Sequence, residues 1–313
     1  MAGSEAWRLS PAEVAQFERD GFLVIRKHAS AEECDVLVAR AKEIAALHNV
    51  ARDGAGTFET ASRTDRSRDA YFLGSAYTMR VFFEPGVSPL AAEQSDESGS
   101  LSRVNKIGHA LHELDPQFEA FSCSNKVQQV VHSLGLTSAV IPQSMFIVKA
   151  PRIGGAVNVH RDCTFLRTEP RNTCLGLWWA LEPATRDNGC LWVLPGSHVD
   201  PNSGERIADL QFVRVCASGK KGEYNAELDR TEMRGSAKHA DSDVADAGWV
   251  ALECEKGDLV LIDGSVLHKS APNTSERSRC AYSIHVFNDT ESSRWSDSNW
   301  LQRDPRAPRF RAL

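Results

Sequence analysis

From about Gln143 to Phe287 the chain is written in short apolar runs closed by turn residues, and this punctuation limits the folds open to it. Strands are expected at Met145–Lys149, Ala156–His160, Cys174–Leu181, Cys190–Leu194, Leu210–Val215, Leu259–Ile262 and Ala281–Phe287. Asp187-Asn188-Gly189 and Gly257-Asp258 supply turns between some of them. Several short strands at this spacing favour a sandwich or barrel over a sheet of βαβ units. Between Ser203 and Gly248 lies a polar stretch rich in Gly, Ser, Asp and Lys, read as an excursion loop: a solvated insertion in preference to a segment that takes part in choosing a bound molecule.

The N-terminal third reads differently. Ser10-Pro11-Ala12-Glu13 and Ser30-Ala31-Glu32-Glu33 each open a helix, the first with Pro at the first helical position. Between them Phe22–Ile25 reads as a buried strand. The second helix carries its apolar residues at Cys34, Leu37, Val38, Ala41, Ile44 and Ala45, a period near 3.6. Two further helical stripes are expected, Ile107/Ala110/Leu111/Leu114 and Val127/Val130/Val131/Leu134, while Asp53–Arg68 and Ala91–Ser102 read as loops. Single all-β domains reach ~200–250 residues, so 313 residues are read as one domain over 1–313: a helical part to about 140 and a strand-rich core over about 141–290.

Charge and cysteine usage exclude several classes. Lys+Arg number 36 against 42 Asp+Glu, a net −6, which gives no reason to expect nucleic acid or an anionic membrane as partner. The eight cysteines form no C-x-x-C pair, so they read as reduced core residues. No apolar leader occupies Met1–Asp20 and no run approaches a membrane span, so no membrane insertion is expected. Arg311-Ala312-Leu313 shares only its last residue with the peroxisomal Ser-Lys-Leu address; the cytoplasm is the expected compartment, with the peroxisome left open.

The chemistry concentrates at His160-Arg161-Asp162, which ends one expected strand, and His268, which follows another. Side chains at i and i+2 of a strand share a face, so His160 and Asp162 aim at one point while Arg161 points away. A His268 strand lying across the barrel would close a triangular face of two imidazoles and one carboxylate, a donor set that suits non-haem iron(II) with open positions. Arg279 enters the last strand, and its planar guanidinium suits the far carboxylate of a dicarboxylic co-substrate. Arg277 has the same parity, and spacing alone leaves both open.

Competing readings are weaker. A kinase catalytic loop would need Asn at position 167, where Arg167 stands, and neither D-F-G nor a Gly-rich loop accompanies it. A zinc hydrolase could use the same ligands but lacks a Glu or His base at a recognisable offset. His109 and His112, three apart on the expected helix, could ligate a metal but read more readily as a solvated face, and His198, Asp258 and Asp263 as turn-formers.

Taken together, Gly154-Gly155 with His160-Arg161-Asp162, Leu175-Gly176-Leu177-Trp178, Asp187-Asn188-Gly189-Cys190-Leu191-Trp192, Leu194-Pro195-Gly196-Ser197-His198 and Gly257-Asp258-Leu259 resemble the phytanoyl-CoA dioxygenase family. So do Asn105–His112 and Trp295–Leu301, and the resemblance runs from about Phe17 to Leu301. It implies a mainly β fold with flanking α-helices, the double-stranded β-helix or jelly roll. It also implies an Fe(II)- and 2-oxoglutarate-dependent dioxygenase that consumes O2, hydroxylates a substrate and releases succinate and CO2. On this matching His160, Asp162 and His268 hold the metal, Arg279 holds 2-oxoglutarate, and Lys106, Met145, Trp178 and Ser270 line the co-substrate pocket. A carboxylate rather than a small residue at Asp162 speaks for hydroxylation over halogenation. No basic cluster stands out as a coenzyme A phosphate site, so an acyl-CoA, a lipid, a small metabolite and a protein residue all stay open as substrate, as does the oligomeric state. A silent jelly roll that only binds metal or ligand is the alternative, and it would leave the four residues without a common purpose.

Overall fold

Alternation along the strands decides how the layers stack. The computed structural model describes residues 7–57, 70–87, 101–220, 222–235, 248–303 and 309–313. Helices α1 (Pro11–Asp20) and α2 (Ala31–Leu47) start at the two capping boxes, Ser10/Glu13 and Ser30/Glu33, and β1 (Phe22–Ile25) runs between them. Short elements follow: α3 (Val50–Asp53), β2 (Gly56–Thr57), α4 (Ala70–Leu73), β3 (Met79–Phe83), β4 (Val104–His109), α5 (Leu111–Leu114), α6 (Pro116–Ser122) and α7 (Asn125–Ser133). The strand-rich part comprises β5 (Ala139–Lys149), β6 (Val157–His160), β7 (Thr168–Pro170), β8 (Leu175–Ala180), β9 (Leu191–Val193), β10 (Leu210–Val215) and β11 (Arg230–Gly235). It closes with β12 (Val250–Leu252), β13 (Leu259–Asp263), β14 (His268–Ser270), β15 (Arg279–Asn288), β16 (Ser293–Trp295) and β17 (Arg311–Ala312). Among the described residues no helix is long and apolar enough to cross a membrane.

The larger sheet runs β1-β13-β8-β15-β5-β4-β3-β2, with β17 added beside β5; the smaller runs β12-β9-β14-β6. On the larger sheet Phe146, Val148, Leu177, Trp179, Tyr282 and Ile284 share one core with Leu37 of α2, Phe118 and Phe121 of α6 and Val127 and Val130 of α7. Their alternates Trp178, Ala180, Val260, Ile262 and Ala281 join Leu191, Val193 and Leu252 of the smaller sheet in a second core. A period of two therefore assigns one face to the helices and the other to the opposing sheet, the arrangement of a jelly roll. Fully burying each Leu, Phe or Val contributes about 1.5–3 kcal/mol, so both faces stabilise the fold.

The turns are built as their residues predict. Asn188 accepts from the Thr185 N–H at 2.7 Å and donates to the Pro183 carbonyl at 2.8 Å. Gly257 adopts φ +93°, and a Cβ there would strike the Ala29 carbonyl, so only glycine fits. Asp258 accepts from the N–H groups of Lys27 and Glu255 and pairs with Arg26. Asp263 accepts from the Ser265 N–H and pairs with Arg206. All eight cysteines are unpaired.

Two expectations fail. The stripe over Ile107–Leu114 is not one helix: Val104–His109 is a strand between β3 and β5, and α5 is a single turn. A strand buried on both faces is apolar at spacings that imitate a helical stripe, and only its pairing separates the two. His109 and His112 accordingly share no solvated helix face and are both buried. Nor is Ser203–Gly248 merely a solvated loop. The strand expected at Leu210–Val215 is present as β10, and it pairs antiparallel over six residues with β11, which the sequence did not announce; Arg214 and Asp229 form a buried ion pair at 2.7 Å, and Phe212 is buried. Residues 221 and 236–247 of that stretch, 58–68 of the first expected loop and 91–100 of the second lie outside the described residues.

Candidate active site

His160 ends β6, and β14 lies beside it with His268 directly opposite in the register. The second imidazole thus comes from the adjacent hydrogen-bonded strand and not from across the barrel. The two rings sit 4.1 Å apart, centroid to centroid. Asp162 is past the strand end, at the start of a 3-10 turn over Asp162–Thr164, where its carbonyl accepts the N–H groups of Phe165 and Leu166. Its Oδ1 lies 3.5 Å from His160 Nε2 and 3.6 Å from His268 Nε2. One ligand atom from each of the three residues can be chosen so that all lie within 4.8 Å of one another. Arg161 points the other way, and its guanidinium donates to the carbonyls of Ser197 and Ser265.

Both rings are prepared in the same manner. His160 Nδ1 donates to the Asn158 carbonyl at 2.8 Å and His268 Nδ1 to the Val266 carbonyl at 3.2 Å, which leaves each Nε2 as a lone pair beside Asp162. Burial and the neighbouring His160 ring hold His268 down to about 4, so it is unprotonated at neutral pH. Burial alone would raise the Asp162 carboxyl; the surrounding His268, His285 and His160 hold it well below the usual carboxylate range instead. Two imidazoles that present Nε2 and one buried carboxylate, oriented before any ion arrives, fit a divalent first-row metal.

His285 of β15 completes this arrangement. Its Nε2 donates to the other Asp162 oxygen, Oδ2, at 3.2 Å. Gly176 of β8 makes room for that carboxylate, since a Cβ there would lie 3.1 Å from Oδ2.

Arg279 lines the same cavity, which has a volume of about 520 Å³. It is 2% exposed, faces the Trp178 ring at 5.5 Å, and has no hydrogen-bond partner for Nε or Nη1 among the described residues. Burial lowers it to about 10, which still leaves it cationic at neutral pH. Arg277 is exposed, so the structure separates two arginines that strand parity could not. Lys149 sits opposite Arg279 in the β5–β15 register, and burial together with Arg279 lowers it to about 7. An unpaired buried guanidinium beside a lysine fits an anionic group.

Lys106, Met145, Trp178 and Ser270 line this cavity too. Lys106 Nζ lies 4.0 Å from Met145 Sδ and 5.1 Å from the Phe82 ring centroid, while Ser270 Oγ donates to the Gly189 carbonyl at 2.9 Å. Sequence reasoning missed His285, Lys149 and His109. His285 was legible, being six residues beyond Arg279 on the same strand face; Lys149 needed the register, and His109 was hidden by the helical reading. Also unforeseen is an aromatic wall. Phe165 packs against His160 and Phe212, and Phe72 stacks on Trp300 at 4.4 Å; Met233 from β11 joins them in lining the cavity.

The family profile described as phytanoyl-CoA dioxygenase matches residues 17–281. Phytanoyl-CoA dioxygenase domain-containing protein 1 of Bos taurus is 40% identical over 309 residues, covering 96% of this chain and 97% of that protein. A homologue from Dictyostelium discoideum is 37% identical over 311 residues, covering 98% of this chain and all of its own length. Among solved structures, EctD from S. alaskensis with bound Fe superposes with a TM-score of 0.62 at 18% identity, covering 99% of this chain and 89% of its own. The non-heme alpha ketoglutarate dependent carbocyclase SnoK reaches 0.61 at 15% identity, covering 100% of this chain and 96% of its own.

Proposed function

This chain belongs to the phytanoyl-CoA dioxygenase family, and from that premise we propose that it is an iron(II)- and 2-oxoglutarate-dependent dioxygenase that hydroxylates a C–H bond. The observation that carries this reading is the presence in one cavity of a preset His160/Asp162/His268 ligand set and an unpaired buried Arg279. Iron(II) and 2-oxoglutarate, when bound, supply the oxidising chemistry: the two atoms of O2 end in succinate and in the product hydroxyl, with loss of CO2.

The chain's own residues do the positioning. His160 and His268 offer Nε2, and Asp162 contributes the anion that offsets part of the metal charge. His285 holds Asp162 Oδ2, so that Oδ1 stays turned toward the two imidazoles. Arg279 takes the distal carboxylate of 2-oxoglutarate; Lys149, held down to about 7 by burial and by Arg279, stands opposite it in the register and keeps its proton more readily once that anion is present. Lys106, Met145, Trp178 and Ser270 form the walls along which the co-substrate lies. Trp178, whose ring faces the guanidinium, helps to keep water from the anion, which strengthens its pairing with Arg279.

An anaerobic titration tests the reading. Iron(II) with 2-oxoglutarate should develop a coloured metal-to-ligand charge-transfer band, and admitting air should release succinate. Protein that develops no band and makes no succinate would end it.

A further inference from the structure

His109 lies in the aromatic half of the cavity with its ring packed between Phe72, Phe82 and Trp300 at centroid distances of 5.8, 5.7 and 5.2 Å. Its tautomer follows from its neighbours. The Ser75 hydroxyl has one hydrogen, which it donates to the Phe72 carbonyl at 2.5 Å. The 2.8 Å contact between Ser75 Oγ and His109 Nδ1 must then use the imidazole hydrogen, so Nδ1 donates and Nε2 is left as a lone pair. That nitrogen is buried in a residue only 1% exposed and has no partner among the described residues. Burial, reinforced by Lys106 and His285, keeps the ring well below its ordinary pKa and therefore neutral.

A buried acceptor left without a donor is costly, so such a nitrogen on a residue that lines the ligand cavity points to what the ligand brings. The co-substrate cannot satisfy it. 2-Oxoglutarate is a dianion whose oxygens only accept hydrogen bonds, and a carboxylate placed against this lone pair would be repelled. The remaining occupant of the cavity is the molecule to be oxidised. Around His109 the wall consists of Phe72, Trp300, Phe212, Met233 and Phe165, and Phe165 leads back to the His160 ring at 6.1 Å. A ligand lying along this wall therefore reaches the triad.

We propose that the aromatic half of the cavity takes an apolar molecule bearing a hydroxyl or N–H donor, and that His109 Nε2 accepts that hydrogen. The inference rests on the oxygenase reading for its functional meaning, but the recognition itself needs neither metal nor co-substrate. β10 and β11 then act in substrate choice, because they supply Phe212 and Met233.

The test uses 2-naphthol and 2-fluoronaphthalene, near-isosteric probes with and without a donor. Each is titrated calorimetrically into the full-length protein, both metal-free and anaerobically loaded with iron(II) and 2-oxoglutarate. The wild type should bind 2-naphthol at least tenfold more tightly than 2-fluoronaphthalene in both forms. In His109→Phe the two affinities should converge to within threefold while that of 2-fluoronaphthalene is retained. His109→Gln, which keeps an acceptor, should restore part of the preference and covers a Phe variant that fails to fold. Equal affinities in the wild type, a preference that survives in His109→Phe, or binding of neither probe would overturn the proposal. Discrimination by metal-free protein that forms no charge-transfer band would count against the oxygenase reading alone.

Discussion

His268 and His160 face each other across the β14–β6 ladder, and each ring is locked at Nδ1 by the carbonyl two residues before it. A single pair of adjacent short strands thus delivers two oriented lone pairs to the carboxylate of Asp162. The cost of orienting the ligands is met by folding, so metal affinity should depend on groups that never touch the ion.

Removing a ligand tests the triad directly. Asp162→Ala leaves the two imidazoles without the only anion among the three, and iron-dependent succinate formation should fall to background. Succinate assayed with saturating iron(II) and 2-oxoglutarate is the measurement, and substantial turnover in the variant would show that the triad is misassigned.

The two arginines should behave differently. Arg279→Ala takes the cation from a buried carboxylate site, a loss of ~3–5 kcal/mol that corresponds to roughly 10²–10³-fold weaker 2-oxoglutarate binding. Arg277→Ala, at an exposed position, should change it less than threefold. Anaerobic titration of the charge-transfer band reads both, and similar small effects would place the anchor elsewhere.

His285 acts through Asp162. His285→Phe keeps the ring volume but removes the donor to Oδ2, and iron(II) affinity should drop about 10–100-fold. Gly176→Ala crowds the same oxygen from the other side and should act in the same direction more weakly. Direct metal-binding measurements with 2-oxoglutarate omitted separate this from any effect on the co-substrate; unchanged affinity in both variants would refute the positioning role.

Two buried histidines outside the cavity lining should contribute to acid sensitivity. His28 accepts from Trp179 Nε1 at 3.0 Å, and burial with the nearby Lys126 charge holds it down to about 4. His112 is held down to about 3 by burial, between Ser144 Oγ and the Ile141 carbonyl. Unfolded, each would titrate near 6.5, so below that pH the unfolded chain gains protons that the native state refuses. Their contribution is complete above pH 6.5 and declines toward pH 4 and 3, by about 1.4 kcal/mol per pH unit for each group. Between pH 7 and pH 5 the stability lost, read by urea unfolding, should be about 4 kcal/mol smaller in the double variant His28→Gln/His112→Asn than in the wild type. A slope unaffected by these substitutions would assign the acid sensitivity to other groups.

Much of this site was readable beforehand because its main residues sit at strand ends, where parity and turn chemistry are local. The His160–Asp162 spacing pointed to a shared target, although Asp162 reaches it through a 3-10 turn and not as a strand residue. His109 escaped for the opposite reason. Apolar spacing over Ile107–Leu114 matches a helix stripe and a doubly buried strand equally well, and the choice belongs to β3 and β5, which flank it.

Local order, then, is what the chain alone determined: capped helices, short strands, glycine turns, and the residue types able to hold a metal and an anion. Tertiary structure decided adjacency. That His268 pairs with His160, that Lys149 stands opposite Arg279, and that β10 and β11 wall the cavity depend on hydrogen bonds and packing between segments far apart in the chain. The period of a strand says which face a side chain takes, but not which strand lies beside it or at what register.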